Sequence, residues 1–361
     1  MTMINVTKTY LPQKQKYLEY INKIFKSGWL TNNGELVQNL ERRLEDYLGV
    51  PHVILTANGT LALQIAYHLL ELKGEVITTP FTFIATTSSL VWEKLIPIFA
   101  DIEPDTFNID PIQIEKNINN NTSAILGVHV FGNVCNVGKI EEIANSYKLK
   151  VIYDAAHAFG VKYYNKSISE FGDVSIFSFH ATKIFHTIEG GAIVLKDDDM
   201  AKKARLLINF GIPGPDEIAT LGINAKMNEF QAAMGLCVLD DIQDIIEKRH
   251  VIYNRYLEAF IDNNKLTLQQ IAPHSTQNYS YFPVLFESEK ILLRIKQSLN
   301  QAEIFPRRYF YPSLDTLHFI HPKQKMPISR NLSSRILCLP LYEDLTEDIQ
   351  DQIIKVILMY C

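Results

Sequence analysis

Between residues 52 and 155 short β-branched runs alternate with helical stretches, and a chain patterned this way is restricted to βαβ units on a mostly parallel sheet. The runs are HVILTA (52–57), EVITTP (75–80), IPIFADI (96–102), TSAILGVHVFG (122–132) and KVIYDA (150–155). Helices are predicted from Thr60, from Thr82 and over 139–147. Ahead of them, Leu36, Leu40, Leu44 and Leu48 recur every four residues across 34–49, the stripe of a one-sided helix. Beyond Asp154 the runs VSIFSF (174–179) and GAIVLK (191–196) follow each other closely, which makes a mixed sheet the expectation. A Gly- and Pro-rich stretch at 211–222 reads as a mobile loop, and a long helical region runs from about Asn228 through Tyr256. The remainder combines a strand-like YSYFPVLF (279–286) with helices around 288–300 and 345–358, an α+β pattern. The expected organisation is an arm over 1–12, a large domain over 13–245 and a smaller C-terminal domain over 246–361.

Composition narrows the partners. The chain has 361 residues, 47% of them hydrophobic, enough for two well-filled cores. Its 35 Lys and Arg against 40 Asp and Glu leave a formal charge of −5, so no global basic field exists to hold nucleic acid or an anionic membrane. Cys135, Cys237, Cys338 and Cys361 form no CxxC pair, which argues against a zinc ribbon or a disulfide framework. The N-terminal stretch lacks a basic segment followed by an apolar one, and no run of about 18 apolar residues occurs. A soluble, cytoplasmic protein is expected.

In open α/β sheets ligands gather at the carboxyl ends of strands. Three such ends carry usable chemistry. Asn58-Gly59-Thr60 lies between a strand and a helix, where free N–H groups can hold a phosphate, although taken alone this piece reads more simply as an ordinary turn capped by Thr60. Asp154 closes KVIYD and is followed by Ala155-Ala156-His157, small residues that leave room beside a carboxylate and an imidazole. Lys183 stands in SFHATK just beyond a strand, with Glu189-Gly190-Gly191 leading into the next. Each has a plain structural explanation: a turn, a buried ion pair, a solvated lysine. Taken together, they are what pyridoxal 5'-phosphate requires: a lysine amine for its aldehyde, a carboxylate for its ring nitrogen and a helix N-terminus for its phosphate. The order, with the lysine 29 residues after the aspartate (183 − 154), fits a fold type I cofactor site. No GxGxxG follows a strand, and no GxxxxGK[ST] or GxSxG occurs. His129, His157, His180 and His186 have no metal-ligand spacing, so no metal is expected.

These segments, with GWLTNNGELVQNLE (28–41), ANGTLALQIA (57–66), TPFTFIATTSSLVWE (79–93), YDAAHAFG (153–160), FSFHATKIFHTIEGGAIV (177–194) and GINAKMNEFQAAMG (222–235), resemble the DegT/DnrJ/EryC1/StrS sugar aminotransferases over essentially the whole chain. The resemblance implies the fold type I, aspartate aminotransferase-like architecture and a homodimer whose active site is shared. It implies transfer of an amino group from L-glutamate to C4 of a dTDP-linked 4-keto-6-deoxy sugar for surface glycan synthesis. It assigns the covalent lysine to Lys183, the ring-nitrogen partner to Asp154, and a position beside the phenolic oxygen to His157. Gly59, Thr60 and Ser178 are the implied phosphate ligands, and Phe83, more than Phe81, is the ring-stacking aromatic. Asn224 is the implied phosphate contact from the second chain. Its neighbours depart from the family pattern, since Ile223 and Lys226 stand where an aromatic residue and an arginine are usual. Family members that dehydrate carry His at the position of Lys183. For the sugar, Thr31 and Asn32 are implied as pocket lining; His186, Arg308 and Tyr309 are further candidates, with Arg307 and Arg308 suited to a carboxylate or diphosphate. Amination at C3, a GDP-linked 4-keto sugar and a non-catalytic cofactor-binding regulator stay open as alternatives.

Overall fold

The computed structural model describes residues 3–361. The arm supplies β1 (Ile4–Asn5) before α1 (Lys14–Ser27) and α2 (Glu35–Leu48). There follow β2 (His52–Thr56), α3 (Gly59–Leu69), β3 (Glu75–Thr78), α4 (Ile84–Trp92), β4 (Ile96–Phe99), α5 (Pro111–Asn117), β5 (Thr122–Val128), α6 (Val137–Tyr147) and β6 (Lys150–Asp154). A small hairpin, β7 (Lys162–Tyr163) and β8 (Lys166–Ser167), precedes β9 (Val174–Ser178), β10 (Gly191–Leu195) and α7 (Asp198–Leu207). The C-terminal part holds α8 (Glu229–Asp240), α9 (Ile242–Phe260), β11 (Leu266–Leu268), β12 (Phe282–Phe286), α10 (Glu289–Gln301), β13 (Ile304–Phe305), α11 (Pro327–Arg335), β14 (Ile336–Leu339) and α12 (Glu347–Tyr360).

Seven strands form the central sheet in the order β2-β10-β9-β6-β5-β3-β4. Only β10 runs antiparallel to its neighbours, which is the mixed sheet expected from the short spacing between 174 and 196. Register places the functional strand ends in one row. Asp154 lies opposite Val128 on β5 and Ile176 on β9, while Gly191 lies opposite Ser178 and Thr56. The strands are buried on both faces, as their near-continuous apolar runs require.

The leucine stripe of α2 is fully used: Leu40 and Leu44 have no exposed surface, and Gly49 closes the helix at φ 68. The long region expected over 228–256 is two helices. Asp241, at φ −104 and ψ 3, separates α8 from α9, and its carboxylate is held by the Tyr10 hydroxyl at 2.8 Å and Lys16 Nζ at 3.0 Å. The first turns of α9 pack Ile242 and Ile245 into the core of the central sheet. Further along, Ile252, Tyr256 and Phe260 enter a second core with Phe282, Val284 and Leu339, beneath the antiparallel sheet β11-β12-β14. The arm reaches that second core too, because β1 pairs in parallel with β13. Among the described residues no helix is long and apolar enough to cross a membrane.

Candidate active site

A cavity of about 400 Å³ opens at the carboxyl ends of β6 and β9, between the two sheets. It is lined by Gly59, Thr60, Phe83, Asp154, His157, Ser178, Lys183 and Tyr309, so the structure brings together eight of the residues singled out from sequence. The first wall is the N-terminus of α3. Its cap is Asn58, whose Oδ1 accepts the Leu61 N–H at 2.9 Å; Thr60 lies inside the helix, which corrects the reading of Thr60 as the cap. A Cβ on Gly59 would lie 3.0 Å from Ser178 Cβ, and one on Gly191 would lie 2.7 Å from the Asn58 carbonyl. Only glycine lets the helix start sit this close to β9 and β10, leaving its N–H groups facing the cavity.

Asp154 is buried, and each of its oxygens accepts one hydrogen bond. Its Oδ1 accepts the Ala156 N–H at 3.1 Å and its Oδ2 accepts the Thr86 hydroxyl at 2.8 Å. Because Thr86 gives its proton to the carboxylate, the 2.9 Å contact between Thr82 and Thr86 hydroxyls must be donated by Thr82. Burial raises the Asp154 pKa, and the Thr86 and Ala156 donors and the charge of Lys183 oppose that rise. Lys183 rides the loop between β9 and β10, its N–H donating to the His180 carbonyl at 2.9 Å. Burial lowers its pKa to about 8 against the pull of Asp154, and Arg307 adds to the fall. His157 is buried, and its Nδ1 accepts the Phe131 N–H at 3.3 Å. That bond places the ring proton on Nε2, and burial keeps the imidazole neutral with a pKa well below its usual value. The ring lies parallel to Phe310 within 8° and beside Tyr281 at 4.7 Å.

Of the two aromatic candidates, Phe83 lines the cavity and is 51% exposed, whereas Phe81 is buried against Phe107, Phe131 and Phe310. Five other residues expected at the site lie elsewhere in this chain. His186 is buried with both ring nitrogens occupied, Nδ1 by the Ile188 N–H and Nε2 on the Tyr10 carbonyl at 2.8 Å. Arg308 turns away to Glu289 Oε1 and the Ser334 carbonyl, each at 2.6 Å. Thr31, Asn32 and Asn224 are exposed and outside the cavity wall; Asn32 borders a separate hollow with Asn209 and Lys226. Arg307, named with Arg308 from the sequence, also lines the wall, and with it stand Thr82, Thr86, His180, Glu189, Tyr281 and Phe310, to which no role was assigned. Thr86 gave only a weak signal, its place in the first turn of the helix after a strand end. Tyr281 had no such signal, because it reads as one more aromatic in a strand.

The arrangement joins an amine of lowered pKa, a buried carboxylate that accepts hydroxyl and amide donors, and a helix start, all at one concave surface. The comparisons agree with it. The DegT/DnrJ/EryC1/StrS aminotransferase family model matches residues 12–358. The chain is 41% identical over 359 residues to dTDP-4-amino-4,6-dideoxy-D-glucose transaminase of Shigella dysenteriae, covering 98% of each chain. It is 39% identical to the protein of that name from Escherichia coli, again over 98% of each. Its fold superimposes on the crystal structure of DesI in the presence of its TDP-sugar product with a TM-score of 0.94 and 33% identity, covering 100% of this chain and 93% of that one. With a family match over nearly its whole length and relatives this similar, the chain belongs to the DegT/DnrJ/EryC1/StrS aminotransferase family and is an enzyme of that class.

Proposed function

We propose that the chain is a pyridoxal 5'-phosphate-dependent aminotransferase that moves the amino group of L-glutamate to C4 of dTDP-4-keto-6-deoxyglucose, giving dTDP-4-amino-4,6-dideoxyglucose and 2-oxoglutarate. The observation that carries this reading is the convergence of Lys183, Asp154 and the α3 N-terminus on one cavity. The similarity to the two dTDP-sugar transaminases supports the choice of sugar, nucleotide and carbon.

The residues present fit the cofactor. Gly59, Thr60 and Ser178 form a cradle of N–H and hydroxyl donors that a Cβ at Gly59 would crowd, the shape and chemistry of a phosphate seat. Asp154 would face the ring nitrogen, His157 Nε2–H would lie near the phenolic oxygen, and Phe83 would cover the ring face. When bound, the cofactor supplies an aldehyde carbon to carry the amine and a protonated ring that draws electrons from it. Asp154 would keep that ring nitrogen protonated, and the hydroxyls of Thr82 and Thr86 favour the charged form of the carboxylate against its burial. Lys183, with its pKa near 8, holds a useful neutral fraction at physiological pH and would take the proton from the α-carbon of the donor and deliver it to the carbon on the other side of the nitrogen. Retention of a lysine here, in place of histidine, supports amino transfer over dehydration.

The reading includes a cytoplasmic homodimer with shared sites. Its support is the placement of Asn224, Thr31 and Asn32 away from their own cavity, and the exposure of Ile218 and Leu221, each 78%, on the loop before Asn224. The test is a single turnover. Protein loaded with the cofactor is converted by glutamate, freed of excess donor and mixed with dTDP-4-keto-6-deoxyglucose or its 3-keto isomer. Return of the visible band of the lysine-bound cofactor with the 4-keto sugar alone is expected. Return with the 3-keto sugar alone would move the reaction to C3, and no conversion by glutamate would leave a binding protein without transfer.

A further inference from the structure

Two arginines stand side by side at the entrance to the second sheet, and the structure treats them differently. Arg308 is turned away from the cavity, with Nη2 on Glu289 and the Ser334 carbonyl and its guanidinium 3.6 Å from the Tyr311 ring centre. Arg307 has no carboxylate within salt-bridge distance among the described residues, and its side chain lines the cavity. Its backbone is fixed, because its N–H donates to the Cys338 carbonyl at 3.1 Å and its carbonyl accepts the Cys338 N–H at 2.8 Å. The guanidinium lies 4.4 Å from the centre of the Tyr309 ring, and Tyr309 packs edge-on against Tyr281. A guanidinium stacked on an aromatic face keeps its edge N–H groups free for a planar, two-pronged acceptor.

We propose that Arg307 is the anchor for the α-carboxylate of the amino donor. The inference rests on the aminotransferase reading above and adds the group that recognises the donor. The other charged wall residues are committed: Asp154 to Thr86 and Ala156, Glu189 to His180 at 3.6 Å, and Lys183 to proton transfer. An α-carboxylate sits one bond from the carbon that loses its proton, so its cation has to lie close to Lys183. The nucleotide diphosphate is separated from C4 by the breadth of a pyranose ring, and a cation for it belongs farther out. Arg307 and Lys183 line the same cavity, and the guanidinium charge contributes to the fall in the lysine's pKa, which matches the donor's requirement. Because Arg307 comes from the β14 side and Lys183 from the central sheet, a bound donor bridges the two sheets.

The test uses cofactor-loaded wild type, Arg307→Lys and Arg307→Gln. In the glutamate half-reaction, Arg307→Gln is expected to raise the half-saturating concentration about 10- to 100-fold, the loss of a charge-assisted pair, and Arg307→Lys to recover part of it. The keto-sugar half-reaction, whose substrate has no α-carboxylate, should be slowed much less than the glutamate half-reaction. Wild type should discriminate against glutamate bearing an α-amide, and Arg307→Gln should erase that discrimination. Calorimetric titration with glutarate, which cannot react, should show binding weakened by a similar factor in Arg307→Gln whatever the outcome for catalysis. Unchanged glutarate binding would overturn the proposal. So would loss of the keto-sugar half-reaction with the glutamate half-reaction intact, which would make Arg307 a diphosphate contact. A wild type that binds glutarate through Arg307 but is not converted by glutamate would sink the transfer reading instead.

Discussion

At the residue scale, the site depends on two charges whose pKa values are shifted by burial and tuned by each other. Lys183 is pushed down to about 8, and Asp154 resists that fall. Only the neutral amine attacks an aldehyde, so the rate at which apoprotein takes up pyridoxal phosphate should rise about tenfold per pH unit below 8 and level off above it. An exposed lysine would keep rising to about 10.5. Asp154→Asn removes the neighbour that holds the lysine's proton on, so its plateau should begin at lower pH; stopped-flow absorbance across pH 6–10 reads both (a range spanning roughly two units either side). A plateau displaced upward in Asp154→Asn would contradict the coupling. Asp154 and Lys183 were legible in the sequence because each stands at a strand end with small or apolar neighbours. Thr82 and Thr86 were not singled out, since a hydroxyl's partner is set by which strand lies beside it, and Asp154 is 68 residues from Thr86.

At the element scale, helix starts show how distant segments complete one another. Helix α2 begins after Gly34, which has no side chain to cap it. The Leu36 and Val37 N–H groups donate to Glu229 Oε2 at 2.9 Å and Oε1 at 3.0 Å, from the first residue of α8. Glu229 is 3% exposed, so these donors have no ready water, and its charge also favours a helix N-terminus. Glu229→Ala should cost about 2–3 kcal/mol, and Glu229→Gln about half as much because one acceptor oxygen remains. Urea unfolding of the loaded protein measures both, and equal stability of wild type and Glu229→Ala would show that the cap contributes nothing. The leucine stripe announced α2 from sequence alone. Its cap could not be read there, because Glu229 lies 193 residues beyond Leu36.

At the scale of the whole molecule, one chain presents a cavity with Lys183 inside and Asn224 outside it. If the proposed sharing holds, Lys183→Ala and Asn224→Ala proteins are each deficient, but a mixed dimer contains one site with both wild-type residues. Co-refolded in equal amounts, they should recover roughly one quarter of wild-type activity by statistical pairing. Recovery of none, with dimers present by ultracentrifugation, would place Asn224 in its own chain's site, and an Asn224→Ala protein active by itself would place it in no site. The alternation of strands and helices over 52–155 determined the parallel sheet, and the antiparallel β10 followed from its short connection to β9, because local periodicity and loop length leave few topologies. The order of Asp154 and Lys183 pointed to the proposed chemistry for the same local reason, since strand ends in such sheets face the ligand. Only the tertiary structure decided that Arg307 faces the cavity while Arg308 turns to Glu289, and that His186 secures the arm through the Tyr10 carbonyl. Adjacent side chains differ in direction according to what packs above them, and the packing partners of β14 and the arm come from parts of the chain that no short window contains.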